Sequence, residues 1–181
     1  MARSAGRGLP PSVTRKALLV GGSDLAFRAV VDDLVRLGGR LQAARAGLAT
    51  AIGVTPPQYN IVMHLARHAP PEGLRLGLIA AALDVSLSFV VAQTRGLRNK
   101  RLVVLRNDPA DRRAILAALS PAAERALVRA APLMQSLNDR LFAGLARSDL
   151  LELGRLCATL HDNSAAALET LAVPGQAQIV K

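Results

Sequence analysis

The chain has 181 residues, which is enough for one domain with a substantial core. Hydrophobic residues make up 51% of it and aromatic residues only 2%, so the core should consist of Leu, Val and Ala packed as helices. The formal net charge of +10 makes nucleic acid the leading partner class, with an anionic membrane surface as the alternative. No apolar run reaches the roughly 18 residues that a spanning helix needs, and no signal peptide is evident. We therefore expect a mainly α protein located in the cytoplasm.

The N-terminal part combines a basic arm with a long amphipathic helix. Residues 1–22 contain arginine and lysine but no acidic residue, together with Gly, Ser and a Pro10-Pro11 pair, so we expect a disordered arm. Ser23 can act as N-cap of a helix over residues 23–50. Apolar residues recur there at steps of three and four: Phe27, Val30, Val31, Leu34, Leu37, Leu41 and Leu48. A long one-sided helix needs a second apolar surface to cover it.

The middle of the chain contains signals for three further helices. Thr55-Pro56-Pro57-Gln58 is typical of a capping box, and it predicts a helix from Pro56 to about His68. The Ala69-Pro70-Pro71 segment should end that helix. A short helix over 76–83, a turn and a helix from Ser86 to about Lys100 follow. Two helices joined by a tight turn form a helix-turn-helix, whose second helix can enter the major groove.

After Lys100 the apolar period shortens from nearly four towards two. Residues 102–106 and 114–119 are predicted strands, and the turn-rich segment 107–113 between them is charged, which indicates a β-hairpin wing. Ser120-Pro121 should begin a helix whose apolar face carries Leu127, Ala131, Met134, Leu137, Leu141 and Leu145. Ser148-Asp149 should begin a last helix whose apolar face carries Leu150, Leu153, Leu156, Leu160 and Leu168. Residues 171–181 are expected to be a flexible tail.

This order of elements resembles the MarR family of bacterial transcriptional regulators over roughly residues 24–170. The most specific stretch is Leu102-Val103-Val104-Leu105-Arg106-Asn107-Asp108-Pro109-Ala110-Asp111-Arg112-Arg113, which is similar to the family's wing. Asp111 and Arg113 match its Asp-x-Arg element, and Thr55-Pro56-Pro57-Gln58-Tyr59 matches the usual opening of the second helix. The resemblance implies a mainly α winged helix-turn-helix with long dimerisation helices at both ends.

The predicted organisation is a single domain over residues 23–170 with three parts. These are a dimerisation helix over 23–50, a winged helix-turn-helix over 55–120 and C-terminal dimerisation helices over 121–170. The expected dimer-interface residues are Phe27, Leu34, Leu137, Leu141, Leu153 and Leu160. The expected DNA-binding residues are Ser86, Ser88, Arg95, Arg98, Lys100, Arg101, Arg106, Arg112 and Arg113.

Several positions in this region have special expectations. Asp111 is assigned to holding an arginine in place, and the resemblance implies that Arg113 enters the minor groove. It also implies an effector site between the DNA-binding lobe and the dimer helices, with Tyr59 and Met63 in its lining. The recognition helix departs from the family, because its outer face begins with Leu87, Ser88, Val91 and Ala92. Apolar side chains can contact thymine methyl groups, which would favour an A·T-leaning site.

Other chemistry-bearing residues have simpler explanations. His64 and His68 lie four residues apart on one helix face, but a metal site lacks further ligands there, so no metal or cofactor is expected. Cys157 should be a small buried hydrophobic residue rather than a redox switch. No catalytic constellation or phosphate-binding glycine loop is present, so an enzyme is not expected.

The sequence thus predicts a homodimeric, sequence-specific DNA-binding transcriptional regulator without catalytic activity. A repressor that a small aromatic or phenolic effector releases from double-stranded DNA is the favoured form. It would be cytoplasmic, associated with the nucleoid through DNA and not with a membrane. The alternatives are a sequence-tolerant architectural DNA-binding protein and a ligand or redox sensor with weakened DNA binding.

Overall fold

The computed structural model describes residues 10–171, which form six α-helices and three short β-strands. The helices are α1 (Leu25–Ala51), α2 (Pro56–His68), α3 (Leu76–Ala82), α4 (Leu87–Asn99), α5 (Pro121–Leu141) and α6 (Arg147–Glu169). The strands are β1 (Leu74–Arg75), β2 (Val103–Asn107) and β3 (Ile115–Leu119). The prediction of a mainly α winged helix with one hairpin is confirmed. The first nine residues of the predicted arm and residues 172–181 of the predicted tail lie outside the described residues.

The contacts divide the chain into two compact units, residues 1–134 and 135–181. The core of the first unit is built from the inward faces of α2, α3 and α4 together with β3. Its fully buried large side chains are Ile61, Val62, Leu65, Ile79, Val90, Thr94 and Leu97. The first unit contains no tryptophan and only a few aromatic side chains, so these aliphatic residues provide most of the apolar burial.

The helix caps predicted at Thr55, Ser86 and Ser120 are present. Thr55 Oγ1 accepts a hydrogen bond from the Gln58 amide at 3.4 Å, and the Thr55 amide donates to Gln58 Oε1 at 3.2 Å, which completes the predicted capping box. Ser86 Oγ accepts from the Phe89 amide at 3.2 Å. Ser120 Oγ accepts from the Ala123 amide at 3.2 Å. These short-range bonds satisfy donors that would otherwise be unpaired at each helix start.

The prediction that Ser23 caps the first helix is wrong, because Asp24 occupies that position. The Asp24 carboxylate accepts from the Ser12 amide at 2.6 Å, from the Ser12 hydroxyl at 2.7 Å and from Arg28 Nε at 2.8 Å. These bonds, with those from Ser12 the largest cause, lower the pKa of Asp24 well below its ordinary value. They also fasten part of the predicted arm, which includes a short 3-10 helix over Lys16–Leu18, to the start of α1.

Helices α1, α3 and α4 end in the same hydrogen-bonding motif, which requires a left-handed residue. The residues are Gly53 with φ 74°, Asp84 with φ 51° and Arg101 with φ 59°. In each case the next amide bonds back to a carbonyl five residues earlier, as Val85 does to Ala80 at 3.1 Å. This is the Schellman motif, for which glycine is the usual residue. Asp84 therefore stands where the turn of the helix-turn-helix favours glycine.

Strand β1 was not predicted from the sequence. The sheet is antiparallel in the order β1-β3-β2, with Leu74 opposite Ala117 and Val103 opposite Leu119. Gly73 precedes β1 with φ 99°, and a Cβ atom there would lie 2.6 Å from the Ala117 carbonyl oxygen. A two-residue strand contains too few positions to show a period of two, so only its pairing with β3 reveals it.

The second unit consists of the end of α5, a turn and α6. Leu145 was predicted on the apolar face of the preceding helix, but α5 ends at Leu141 and Leu145 lies in the turn, next to Gly144 with φ 86°. Asp149 accepts from the Ala146 amide at 2.8 Å and so supports the start of α6. No residue of α6 is buried in the single chain. Cys157 is exposed, so the prediction of a buried cysteine is wrong for the isolated chain.

Candidate nucleic-acid interface

Helix α4 and the β2–β3 hairpin form one basic surface of the first unit. Val90, Thr94 and Leu97 of α4 are buried, so the helix packs with this face against the domain and its opposite face is free. The predicted DNA-binding residues Ser86, Ser88, Arg95, Arg98, Lys100, Arg101, Arg106, Arg112 and Arg113 are all exposed. Their individual contacts separate them into groups with different roles.

Three arginines share one concave surface between α4 and the hairpin. Arg95 and Arg98 from α4 and Arg106 from β2 line a cavity of about 700 Å³, whose apolar part includes Leu76 and Ile115. Arg106 Nη2 also donates to the Pro71 carbonyl at 3.4 Å. Within residues 10–171, none of the three forms a salt bridge with a carboxylate. Their charges therefore remain available for an external anion such as DNA phosphate.

The tip of the hairpin carries Arg112 and Arg113, and neither forms a salt bridge among the described residues. Asp111 Oδ1 accepts from the Arg113 backbone amide at 3.0 Å, and its carbonyl accepts from the Ala114 amide at 2.8 Å. Asp111 therefore holds Arg113 through its backbone amide, and its carboxylate forms no salt bridge within residues 10–171. Arg113 is held through its backbone while its side chain is exposed.

The wing is held by an ion pair that sequence reasoning missed. Arg75 Nε lies 2.6 Å from Asp108 Oδ2, and Asp108 Oδ1 accepts from the Ala110 amide at 2.8 Å. The Ala110 amide first, and then the Arg75 guanidinium, hold the pKa of Asp108 below its ordinary value. The two residues are 33 positions apart, so no local pattern predicts the pair. The hairpin sequence contains two aspartates, Asp108 and Asp111, and only the structure shows that Asp108 is the buried one.

Other predicted DNA-binding residues make contacts within the protein. Lys100 Nζ donates to the Gly53 carbonyl at 2.8 Å, which ties the end of α4 to the end of α1. The Arg101 carbonyl accepts from Ser120 Oγ at 2.6 Å. Ser86 Oγ caps α4 and lies 3.0 Å from Ser88 Oγ. Lys100, Arg101 and Ser86 thus position the helix, whereas Ser88 presents its hydroxyl at the exposed surface.

Tyr59 and Met63, the predicted effector residues, lie on α2. Tyr59 is buried, with 3% of its surface exposed, and burial raises the pKa of its phenol. The Arg45 guanidinium lies 5.5 Å from the centre of the Tyr59 ring and donates to Asn60 Oδ1 at 2.9 Å and 3.0 Å. Met63 is half-buried. The structure therefore leaves Met63 more accessible than Tyr59 to a bound molecule.

The two histidines on α2 contact each other. The ring centres of His64 and His68 are 4.8 Å apart. Burial first, and then the neighbouring His68, lower the pKa of His64. In the part of the chain that the structure describes, no group of three or more His, Cys, Asp or Glu side chains could hold a metal ion.

None of the predicted dimer-interface residues is fully buried in the single chain. In the first unit, Phe27 is half-buried and Leu34 is exposed. In the second unit, Leu141 and Leu160 are exposed while Leu137 and Leu153 are half-buried. Within residues 10–171, no single helix is long and apolar enough to cross a membrane. Helices α3 and α4 reach that length and apolar composition only together, as a bent pair.

Comparison with known proteins supports this geometry. The MarR family model matches residues 52–114, which cover α2, the helix-turn-helix and most of the hairpin. No curated protein sequence matches the chain significantly. Among solved structures, a MarR family transcriptional regulator from Rhodococcus sp. RHA1 has a TM-score of 0.64 and 22% identity, covering 76% of this chain and 96% of that one.

Two further structures are similar to this chain and have known ligands. The repressor CouR, solved on a 23-mer DNA duplex, has a TM-score of 0.61 and 25% identity, with 71% of this chain and 89% of that one covered. BpsR from Bordetella bronchiseptica, whose DNA binding is regulated by 6-hydroxynicotinic acid, has a TM-score of 0.61 and 21% identity. The match covers 74% of this chain and 93% of that one. The predicted resemblance is thereby confirmed: residues 52–114 match the MarR family model, and the described fold is similar to that of solved MarR family transcriptional regulators.

Proposed function

We propose that this protein is a homodimeric transcriptional repressor that binds double-stranded DNA through α4 and the hairpin. The observation that carries the proposal is the set of five arginines on that surface, none of them neutralised by a salt bridge within the described residues: Arg95, Arg98, Arg106, Arg112 and Arg113. Unpaired guanidinium groups on a recognition helix and a wing are suited to phosphates and base edges. DNA binding by the similar protein CouR is consistent with this.

Dimerisation is proposed from apolar surface that the single chain leaves uncovered. Helix α1 exposes Leu25, Val30, Val31, Leu34, Val35 and Leu37. In the second unit, α6 exposes Leu150, Leu151, Leu156, Leu160 and Leu168 and buries no residue. Monomeric proteins seldom leave so many large apolar side chains in water, and a second copy of the chain supplies matching surfaces. Two copies would also present two recognition helices to a palindromic site.

The effector is proposed to be a small aromatic or phenolic molecule that contacts α2. Met63 is half-buried one helical turn from Tyr59, whose ring centre lies 5.5 Å from the Arg45 guanidinium. A guanidinium beside an aromatic ring suits a planar anionic ligand. Regulation of BpsR by 6-hydroxynicotinic acid supports the class of ligand. Release would follow if the ligand bound the DNA-free conformation more tightly than the DNA-bound one.

The proposal is tested by selecting duplexes from a random pool with the full-length protein, and then measuring affinity for the selected and an unrelated duplex across a salt series. A repressor should retain a preference of roughly a thousandfold or more as salt rises, because its specific contacts add to counterion release. A reporter gene placed behind the selected duplex should be silenced. Equal affinity for both duplexes at every salt concentration would contradict sequence-specific regulation.

A sequence-tolerant architectural DNA-binding protein is the second candidate. It is favoured by one observation: Ala92 lies opposite the buried face of α4, where the polar groups come from Ser88, Arg95 and Asn99, and Arg98 lies to one side. Such a protein would bind both duplexes with the same affinity and the same salt slope. The salt series therefore distinguishes the two candidates directly. Either protein would be located in the cytoplasm and associated with the nucleoid through DNA.

A further inference from the structure

The first turns of α4 expose apolar side chains on a surface that is otherwise basic. Leu87 is 52% exposed, and Leu78 of α3 is 57% exposed beside it in the same groove. Val91 and Ile115 also line this groove, which has a volume of about 420 Å³. Large apolar residues grouped on an exposed surface usually mark a binding site. The five unpaired arginines of the proposed interface do not explain these residues.

The helical geometry shows which of these side chains a DNA groove would meet. Val90, Thr94 and Leu97 point into the core, so positions about half a turn away point outward. The outward positions carry the short side chains of Ser88 and Ala92. Short side chains let the helix approach base edges closely. Leu87 and Val91 are next to these two residues in the sequence and line the protein groove beside α4. Both would then come within reach of the bases.

The charges around the groove favour DNA as its occupant over an apolar protein surface. Arg113 lines this groove with its side-chain charge unpaired among residues 10–171, whereas Arg75 lines it while paired with Asp108. The concave surface with Arg95 and Arg98 adjoins the groove through Val91. Asp111 is the one carboxylate in the groove lining within the described residues, and its Oδ1 is bonded to the Arg113 amide. A rim of cations around an apolar strip matches a duplex, where phosphates border the major groove. The only apolar group on a base edge in that groove is the C5 methyl of thymine.

We propose that Leu87 and Val91 determine sequence specificity by packing against thymine methyl groups in the major groove. The preferred site then contains thymines under the first turn of α4. The inference rests on the proposed DNA binding and adds the base class that is read. Burying one methyl group contributes a free energy that corresponds to an affinity ratio of about four.

The test compares thymine with deoxyuridine, which lacks only the C5 methyl group. The best duplex selected by the full-length protein is synthesised with thymine and again with deoxyuridine at every thymine position. Affinities are measured by fluorescence anisotropy for the wild type, Leu87→Ala, Val91→Ala and the control Val128→Ala. Val128 is exposed on α5, away from the interface, and makes a change of matched chemistry.

The wild type and Val128→Ala should bind the deoxyuridine duplex about four- to sixteenfold more weakly, as one or two methyl contacts are lost. In Leu87→Ala and in Val91→Ala this penalty should be about fourfold smaller than in the wild type, because one methyl contact is already absent. Circular dichroism and thermal unfolding that match the wild type show that both variants are folded.

Two results overturn the inference while leaving sequence-specific DNA binding intact. One is a wild-type protein that prefers its selected duplex but binds the thymine and deoxyuridine forms equally. The other is a deoxyuridine penalty that persists undiminished in both Leu87→Ala and Val91→Ala, which would assign it to duplex shape. A wild-type protein with no preference for any selected duplex overturns this inference and the proposed regulator together.

Discussion

Gly96 lies in the interior of α4, where glycine is less favourable than alanine by about 1 kcal/mol. The structure explains its presence, because a Cβ atom at this position would lie 2.5 Å from Gln58 Nε2. Gln58 is 7% exposed, and its Oε1 accepts from the Thr55 amide at 3.2 Å in the capping box of α2. Glycine thus lets the recognition helix pack closely on α2 without disturbing that box.

Replacing Gly96 with alanine should therefore destabilise the protein in spite of the better helix propensity. An ordinary carbon contact needs a separation about 1 Å greater, so the Gln58 amide must move, which strains or breaks its bond to Thr55. Overpacking of this kind costs about 1 to 3 kcal/mol, against a propensity gain of about 1 kcal/mol. The expected net loss is about 1 kcal/mol. In a Gln58→Ala background the obstacle is absent, and the same substitution should stabilise by about 1 kcal/mol.

The assay is a double-mutant cycle of Gly96→Ala and Gln58→Ala, measured by urea and thermal unfolding at one protein concentration. The coupling free energy should be about 2 kcal/mol, and 1 kcal/mol corresponds to about 2 to 4 °C in Tm for a chain of this size. Gly47→Ala in α1 is the control, since a Cβ atom there meets nothing within 4 Å and should stabilise in either background. A Gly96→Ala protein that is stabilised equally in both backgrounds would refute the packing argument.

Three further predictions concern the interface and the dimer. Arg113→Ala should weaken binding to specific and unrelated duplexes alike and reduce the salt slope by about one unit, whereas Arg95→Ala should weaken specific binding by about 1 to 3 kcal/mol more than non-specific binding. Fluorescence anisotropy on the two duplexes checks this, and identical behaviour of the two variants would argue against separate roles. Leu137→Asp should dissociate the dimer and abolish DNA binding, because a carboxylate in an apolar interface costs several kcal/mol; light scattering that still shows a dimer would place Leu137 outside the interface. The lowered pKa of Asp108 means that its ionised form stabilises the fold above pH about 4 and that this contribution is lost as the pH falls through the folded value, so Asp108→Asn should flatten the acid side of the stability profile. A urea series from pH 6 to pH 2 that shows parallel curves for both proteins would disprove the stabilising role of the ionised Asp108.

The sequence determined those features that depend on neighbours along the chain. The capping box at Thr55 and the cap at Ser86 involve residues three positions apart, and both helices begin where these patterns predict. The hairpin was also predictable, because the spacing of apolar residues shortens locally and a turn-rich segment separates the two strands. The positions of the basic residues on α4 and the wing were therefore predictable.

Tertiary structure decided which of those residues are free to bind and which hold the fold together. Lys100 contacts Gly53 across 47 positions, and Arg75 contacts Asp108 across 33, so both roles depend on the chain folding back on itself. The need for glycine at position 96 likewise arises only when α4 packs against Gln58 of α2. Single-sequence patterns report propensity and periodicity over one or two turns, whereas these contacts arise only after the helices have packed.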